Sequence, residues 1–301
     1  MKVRVGLKLR IIFILLPLIQ VSCISTKRTI PVDARPLPAL TASRADLLHS
    51  LEDQSKRIHT LQGTIALDAS SGGNVKTEVM TEYRQTKGFV LVERPNHVRL
   101  KIQAPLALAT VFDMVSDGRE YRVSIPIQNK FLIGDLDAPA KDKNAILNLR
   151  PQVLITGMFV DITRYLNDPQ VKSTFEEFRE GRRSFYVFSF INVAGPESHL
   201  VEKLWIDRLN LQVTRKQVFR NDGKVETDVE YSGYSAGGDI RYPQVILIQR
   251  PIEDYALKMT FQKTSVNEKL TDDAFNLEQP SGSELVRLEA EAKASTGTTP
   301  Y

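Results

Sequence analysis

Cys23 is the single cysteine among 301 residues, and a lone thiol has few chemistries open to it: nucleophilic attack, metal ligation or covalent modification. It cannot close an intrachain disulfide. A thiol nucleophile needs a base beside it, and a metal site needs further ligands; the available histidines are His49, His59, His97 and His199. His49 and His59 fall in one helical stretch, but ten residues correspond to about 1000° of rotation at about 3.6 residues per turn, so they do not share a face. No glycine-rich phosphate loop, zinc-type His/Cys spacing or nucleophile-elbow pattern occurs. The acidic pairs Glu176-Glu177 and Asp272-Asp273 read as solvated surface rather than as acid/base couples. The residues predict a protein that is not an enzyme, with no catalytic centre, no cofactor and no metal.

The surroundings of Cys23 point to covalent modification. Lys2, Arg4, Lys8 and Arg10 precede an apolar run from Ile11 to Val21, which ends at Ser22-Cys23. This is the layout of a secretory signal peptide. The run spans about a dozen residues and contains Pro17 and Gln20, whereas a spanning helix needs roughly 20 predominantly apolar residues. The segment Ile19-Gln20-Val21-Ser22-Cys23 resembles the bacterial lipobox, with Gln20 where leucine is usual. That resemblance implies cleavage between Ser22 and Cys23, acylation of Cys23 and attachment to a membrane through its lipid. Each buried methylene contributes about 0.8 kcal/mol, so two or more chains hold where one is marginal. Ile24 rather than Asp follows the cysteine, which under enterobacterial sorting implies the periplasmic face of the outer membrane.

The formal charge of +4 misleads, because all four uncompensated cations lie in residues 1–22 and the remainder carries 36 of each sign. Nucleic-acid binders carry a basic footprint; no basic block here exceeds Arg182-Arg183 or Lys27-Arg28, and nucleic acid is excluded as a partner. Four segments follow: a signal peptide (1–22), a lipidated cysteine with a tether containing Pro31, Pro36 and Pro38 (23–40), one domain (41–283) and a flexible tail (284–301). Extended, the tether reaches roughly 50 Å at about 3.1 Å per residue.

The elements of the domain follow from periodicity. Leu47, Leu48, Leu51, Ile58 and Leu61 form one stripe of a helix over Ser43 to Leu61, opened by Ser43-x-x-Asp46 and closed by Gly63. From Thr64 the period is two. Strands are expected over Thr64–Ser70, Val75–Tyr83, Phe89–Glu93, His97–Gln103, Thr110–Val115, Glu120–Ile125 and Lys130–Ile133. After a polar break from Leu136 to Asn148, Pro151 opens a second helix to Phe159. Strands then resume over Phe175–Arg179, Arg183–Asn192, Leu200–Asp207, Gln212–Arg220, Lys224–Tyr231, Gln244–Gln249, Ala256–Lys263 and Ala274–Leu277. Turns are expected at Ser71-Gly72-Gly73-Asn74, Asp117-Gly118, Glu180-Gly181 and Asn221-Asp222-Gly223. Short turns demand antiparallel pairing. The expected fold is mainly β (α+β): an unclosed, strongly curved antiparallel sheet, a half-barrel with helices covering the concave face. Ser184–Ile191 and Gln244–Ile248 are apolar on both faces and so call for a cover.

At this point the chain resembles the LolA/LolB-like family of periplasmic lipoprotein carriers and receptors, over about Ser43 to Gly282. The resemblance rests on the helix leading into Leu61-Gln62-Gly63, on Glu93-Arg94-Pro95-Asn96-His97-Val98-Arg99, and on Phe112-Asp113-Met114-Val115-Ser116-Asp117-Gly118. Leu204-Trp205-Ile206-Asp207, Asn221-Asp222-Gly223 and Phe275-Asn276-Leu277 before Pro280 continue it in order. It implies an apolar concavity that accepts acyl chains of lipoproteins or lipids and assists their delivery to the outer membrane. Leu67, Phe112, Met114, Phe188, Leu257, Met259 and Phe261 are the candidates for its lining. The alternative is a structural or regulatory envelope lipoprotein with a filled core that docks a protein partner. A third reading, a sensor of mislocalised lipoproteins, needs both cavity and partner.

Overall fold

The computed structural model describes residues 37–71, 81–104, 109–136, 149–234, 240–271 and 273–288. The expected signal peptide, Cys23 and the tether up to residue 36 lie outside these residues, as do the glycine turn after Ser71, positions 137–148, Asp272 and the chain after Leu288.

Two antiparallel meanders meet at the centre of one sheet. The first runs outward from β1 (Thr60–Ser71) through β2 (Thr81–Glu93), β3 (His97–Gln103), β4 (Thr110–Asp117) and β5 (Glu120–Ile125) to β6 (Lys130–Asp135). The second begins at the opposite edge with β7 (Val171–Glu180). It returns through β8 (Arg183–Asn192), β9 (His199–Asp207), β10 (Gln212–Phe219), β11 (Val225–Ser232) and β12 (Val245–Arg250) to β13 (Tyr255–Val266), which pairs with β1. A last strand, β14 (Glu284–Leu288), lies parallel on β6, giving 14 strands among the described residues with β7 and β14 at the edges. The sheet is unclosed. The expected turns at Asp117-Gly118, Glu180-Gly181 and Asn221-Asp222-Gly223 join successive strands, and Gly118 and Gly223 take φ of +88° and +79°, the region where a side chain would be strained.

Because the first meander ends at one edge and the second starts at the other, residues 136–170 must cross the sheet. They carry α2 (Pro151–Met158) and α3 (Thr163–Leu166). α2 touches β3 and β4 on one side and β11 and β12 on the other. In strand order β4 and β11 are six spacings apart, about 29 Å in a flat sheet at ~4.8 Å per spacing. A helix with its side chains is only about 10 Å across. The sheet therefore curls around α2, which occupies the middle of the concavity. Among the described residues the helices are few, and they fill part of the concave side rather than cover it.

The first helix is shorter than its stripe predicted: α1 spans Arg44–Arg57, with Ser43 and Asp46 forming the capping box, and Ile58 is already extended. Leu61 and Gly63 belong to β1. Gly63 does not end the helix; a Cβ there would lie 2.8 Å from the Phe261 ring, so its bareness seats that aromatic. Two expectations at the C-terminus are corrected. Ala274–Leu277 is not a strand; Arg99, paired with Asp113, donates to the Ala274 carbonyl and holds the segment as turns. The expected flexible tail instead opens with β14, where Leu285 and Val286 pair with Phe131 and Leu132.

Buried aliphatic and aromatic side chains from β1–β6, β8, β9 and β11–β13 join Val213, α1 and α2 in one core cluster. The two-faced apolar pattern of β8 has a separate cause. Phe185 and Val187 are buried outside that cluster, on the other face. There the Arg183 guanidinium lies 5.2 Å from the Phe185 ring, and Lys203 and Arg215 sit over Trp205 at 5.3 and 5.2 Å. Long cationic stems cover apolar surface while their heads stay in water, so the outer face of β8 needs no helix.

Candidate functional site

The concave wall is built by ladder partners. Leu67 on β1 stands opposite Met259 on β13, which also faces Ile246 on β12. Leu257 pairs with Ala69 and Ile248, and Phe261 with Ile65. Phe112 pairs with Ile102, and Met114 with Leu100. Phe188 pairs with Leu204 and has Phe175 at 4.9 Å, ring centre to ring centre. All seven candidate lining residues thus lie in the one core, each at most 3% exposed.

α2 bears no charged side chain and buries Val153, Leu154 and Met158 in that core. Gly157 is its point of closest approach: a Cβ there would fall 2.2 Å from Ile248 Cδ1. Two cavities flank the helix. One of about 50 Å³ lies beside its C-terminal end, lined in part by Ser55, Ile58, Arg94, Met158, Phe159 and Tyr242. The other, about 370 Å³, lies beside its N-terminal half and is polar, with Arg150, Gln152, Thr156, Arg164, Glu226 and Arg250 among its lining. None of the seven candidates lines either cavity.

Polar contacts fasten the crossover at its C-terminal side. Lys216 on β10 donates to the Thr156 carbonyl and, at 2.6 Å, to the Phe159 carbonyl. A helix C-terminus leaves such carbonyls unpaired and carries the negative end of its dipole. Tyr242 donates to the Met158 carbonyl at 3.2 Å. Arg94 joins the Ser55 carbonyl of α1 to the Asp161 carboxylate that follows α2. Glu202 on β9 accepts from Arg164 and Tyr165 of α3 at 2.9 and 3.0 Å. The Arg94 position was legible in the family-like segment at Glu93 to Arg99; Lys216, Tyr242 and Glu202 were not.

Lys216 is 2% exposed, and burial pushes its ammonium down to about 8, with Glu202 opposing that fall and Arg164 adding to it. An unfolded lysine titrates near 10.4. Between about pH 8 and 10 the unfolded chain therefore binds more protons than the folded one, and stability rises with pH. Above about pH 10 the slope reverses, because burial also pushes up the hydroxyls of Tyr231, Tyr242 and Tyr255, so the unfolded tyrosines ionise first. Because the tyrosines act alike in both proteins, urea titrations should show the unfolding free energy of the wild type rising relative to that of Lys216→Met by about 2 kcal/mol from pH 8 to pH 10. A difference between the two proteins that stays constant with pH would mean that Lys216 keeps its ordinary proton affinity in the fold.

The groups weighed for catalysis do not converge. His49 is exposed on α1 with Asp53 at 3.8 Å, and His97 leans on the Phe275 ring at 5.4 Å. Adjacent Glu176 and Glu177 pair separately, with Lys203 at 3.6 Å and Arg208 at 2.5 Å. No group of three metal-binding side chains occurs among the described residues.

Fold and site together define a class: an unclosed antiparallel half-barrel whose apolar concavity holds the helix of its own crossover. No family model and no curated protein matches the sequence. Among solved structures the chain is similar to a LolA superfamily protein from Nitrosomonas europaea, at 11% identity over 79% of this chain and 99% of that one, with a TM-score of 0.49. It is also similar to a putative outer membrane lipoprotein-sorting protein domain from Vibrio parahaemolyticus, at 8% identity over 77% and 95%, TM-score 0.49. A DUF1329 family protein from Desulfovibrio piger gives 13%, 77%, 95% and 0.49. The strand order and register of this chain define its fold without them.

Proposed function

We propose that this chain is a lipid-anchored envelope protein, not an enzyme, that takes acyl chains of a lipoprotein or lipid into its concavity and assists their delivery to the outer membrane. One observation carries the reading: the concave wall is apolar across both meanders, and what occupies it is an eight-residue helix with no charged side chain. Ligand sites of this class are concave and mostly apolar. An acyl chain entering beneath α2 exchanges one set of apolar contacts for another, so displacement of the helix costs little beyond its polar fastenings. Leu67, Phe112, Met114, Phe188, Leu257, Met259 and Phe261 are the wall it would touch.

The burial of those seven residues favours a second reading, a filled core that serves as scaffold for a docked protein partner. Native mass spectrometry of the chain from Pro36 onward, which contains every residue of the core cluster, separates the two. Copurified acylated molecules, lost on Met259→Asp, support the carrier; a clean mass with no uptake of added fatty acid leaves the scaffold.

The anchor has its own test. Full-length chain is expected to partition with membranes, and Cys23→Ala to lose nearly all of that partition, since the apolar run alone is too short to span. Equal membrane recovery of both would assign attachment to something other than Cys23.

A further inference from the structure

Of the two cavities beside α2, the smaller adjoins the candidate wall. Tyr242 in its lining meets the Phe261 ring edge-on at 5.3 Å, and Tyr231 pairs with Ile246, the ladder partner of Met259. Ile58, Met158, Phe159 and Val213 belong both to this lining and to the core cluster. The inner end of the cavity is therefore continuous with the apolar concavity.

The charges around it are of one sign. Three arginines line the cavity and no carboxylate does. Two of them are neutralised from outside the lining, Arg57 by Asp53 at 3.6 Å and Arg94 by Asp161. Arg241 is exposed, and among the described residues no acid pairs with it. One positive charge is left over, and it is open to solvent. The C-terminal ends of α1 and α2 also adjoin the cavity, and free carbonyls there would repel an anion. Arg94 bonds the Ser55 carbonyl, Tyr242 that of Met158 and Lys216 that of Phe159, so donors already occupy those ends.

Size restricts the guest further. A water needs about 10–15 Å³ of such space, so a cavity of about 50 Å³ admits roughly four groups of that size. That suits a carboxylate and its first methylenes and is too little for a glycerol-bearing headgroup.

We propose that this cavity is the mouth of the acyl site and binds the carboxylate of a free fatty acid at Arg241, with the chain running past Met158 and Phe159 into the concavity. The inference rests on the acyl-binding reading above and narrows its cargo to an anionic, single-chain lipid.

The test measures binding of a fluorescent fatty acid, its methyl ester and a lysophosphatidylglycerol of the same chain to the chain from Pro36 onward, as wild type, Arg241→Gln and Arg220→Gln. The ester is the more apolar ligand, so the readout is the acid-to-ester affinity ratio and its change between proteins. Arg241→Gln should lower that ratio about fivefold, the upper range for an exposed ion pair, and leave the ester affinity as it is. Arg220, exposed after β10, lines neither cavity, and Arg220→Gln should keep the wild-type ratio. A ratio that Arg241→Gln leaves unchanged, or that Arg220→Gln lowers as much, overturns the carboxylate site and leaves the acyl reading standing. Lysophospholipid bound more tightly than the fatty acid, and weakened by Arg241→Gln, overturns the carboxylate assignment in favour of a phosphate head. No uptake of acid or ester overturns both readings.

Discussion

Phe188→Ala is expected to lower the unfolding free energy by about 3–5 kcal/mol, the usual cost of emptying an aromatic site in a packed core. Phe188 has no exposed surface. It is wedged between Phe175 at 4.9 Å and Phe190 at 6.4 Å, and Leu204 faces it across the ladder. Phe190 and Leu204 belong to strands paired on both sides, and of the neighbours only Phe175 lies on an edge strand, so the wall can refill the space only in part. Urea unfolding read by circular dichroism gives the number. Phe178→Ala on β7, 44% exposed, is the control and should stay within about 0.5 kcal/mol. A cost below about 1 kcal/mol at Phe188 would mean that this part of the concavity is already hollow in the free protein.

Arg94→Ala should cost about 2–3 kcal/mol. Arg94 is bonded at once to the end of α1 and to the turn between α2 and α3, through Ser55 and Asp161, and its guanidinium lies 5.4 Å from the Phe159 ring. Removing one member of a buried pair typically costs about 3–5 kcal/mol. Asp161 keeps 34% of its side-chain surface in water and retains Thr163, which reduces the figure. Burial pushes the Asp161 carboxyl up, but hydrogen bonds from the Thr163 hydroxyl and backbone, and then the Arg94 charge, outweigh it, and the net shift is downward. A carboxyl lowered by folding stabilises above its unfolded value near 3.9 and loses that contribution as pH falls through its folded value. The deficit of Arg94→Ala should therefore be full at pH 7 and shrink below about pH 4. Asp161→Asn in the Arg94→Ala background should recover part of it; no recovery would place the role of Arg94 in its contacts with α1 alone.

The strands were legible because alternation and turn chemistry agree along most of the chain. His97–Gln103, Glu120–Ile125 and Arg183–Asn192 have the bounds that the pattern predicts, and Gly118 and Gly223 turn where expected. Local signals failed where tertiary contacts decide. Leu61 continues the α1 stripe, yet its place in β1 is fixed by pairing with Val92 and Val266. Glu284–Leu288 reads as tail because a parallel strand on a sheet edge needs no turn to announce it. The apolar wall was legible residue by residue, since a buried face follows from period two. Whether that wall is open or filled depends on how a crossover of some 35 residues lies across it, and no periodicity encodes that. Lys216 illustrates the limit: alternation from Val213 would turn Arg215 inward, but a bulge between Val213 and Arg215 shifts the register and buries Lys216 instead.

The central claim is that α2 is a displaceable occupant of the concavity. A Gly157→Cys/Ile248→Cys pair tests it in a chain from Pro36 onward that has no other cysteine. The Cβ placed on Gly157 lies 2.7 and 3.7 Å from Ile248 Cγ1 and Cγ2, so the two Cβ positions are about 4 Å apart, within reach of a disulfide. The measurement is uptake of a fluorescent fatty acid by the oxidised and the reduced double variant. Uptake by the reduced form, abolished on oxidation and restored by reductant, is the predicted result. Equal uptake in both redox states would contradict the account, because acyl chains would then bind without moving the helix.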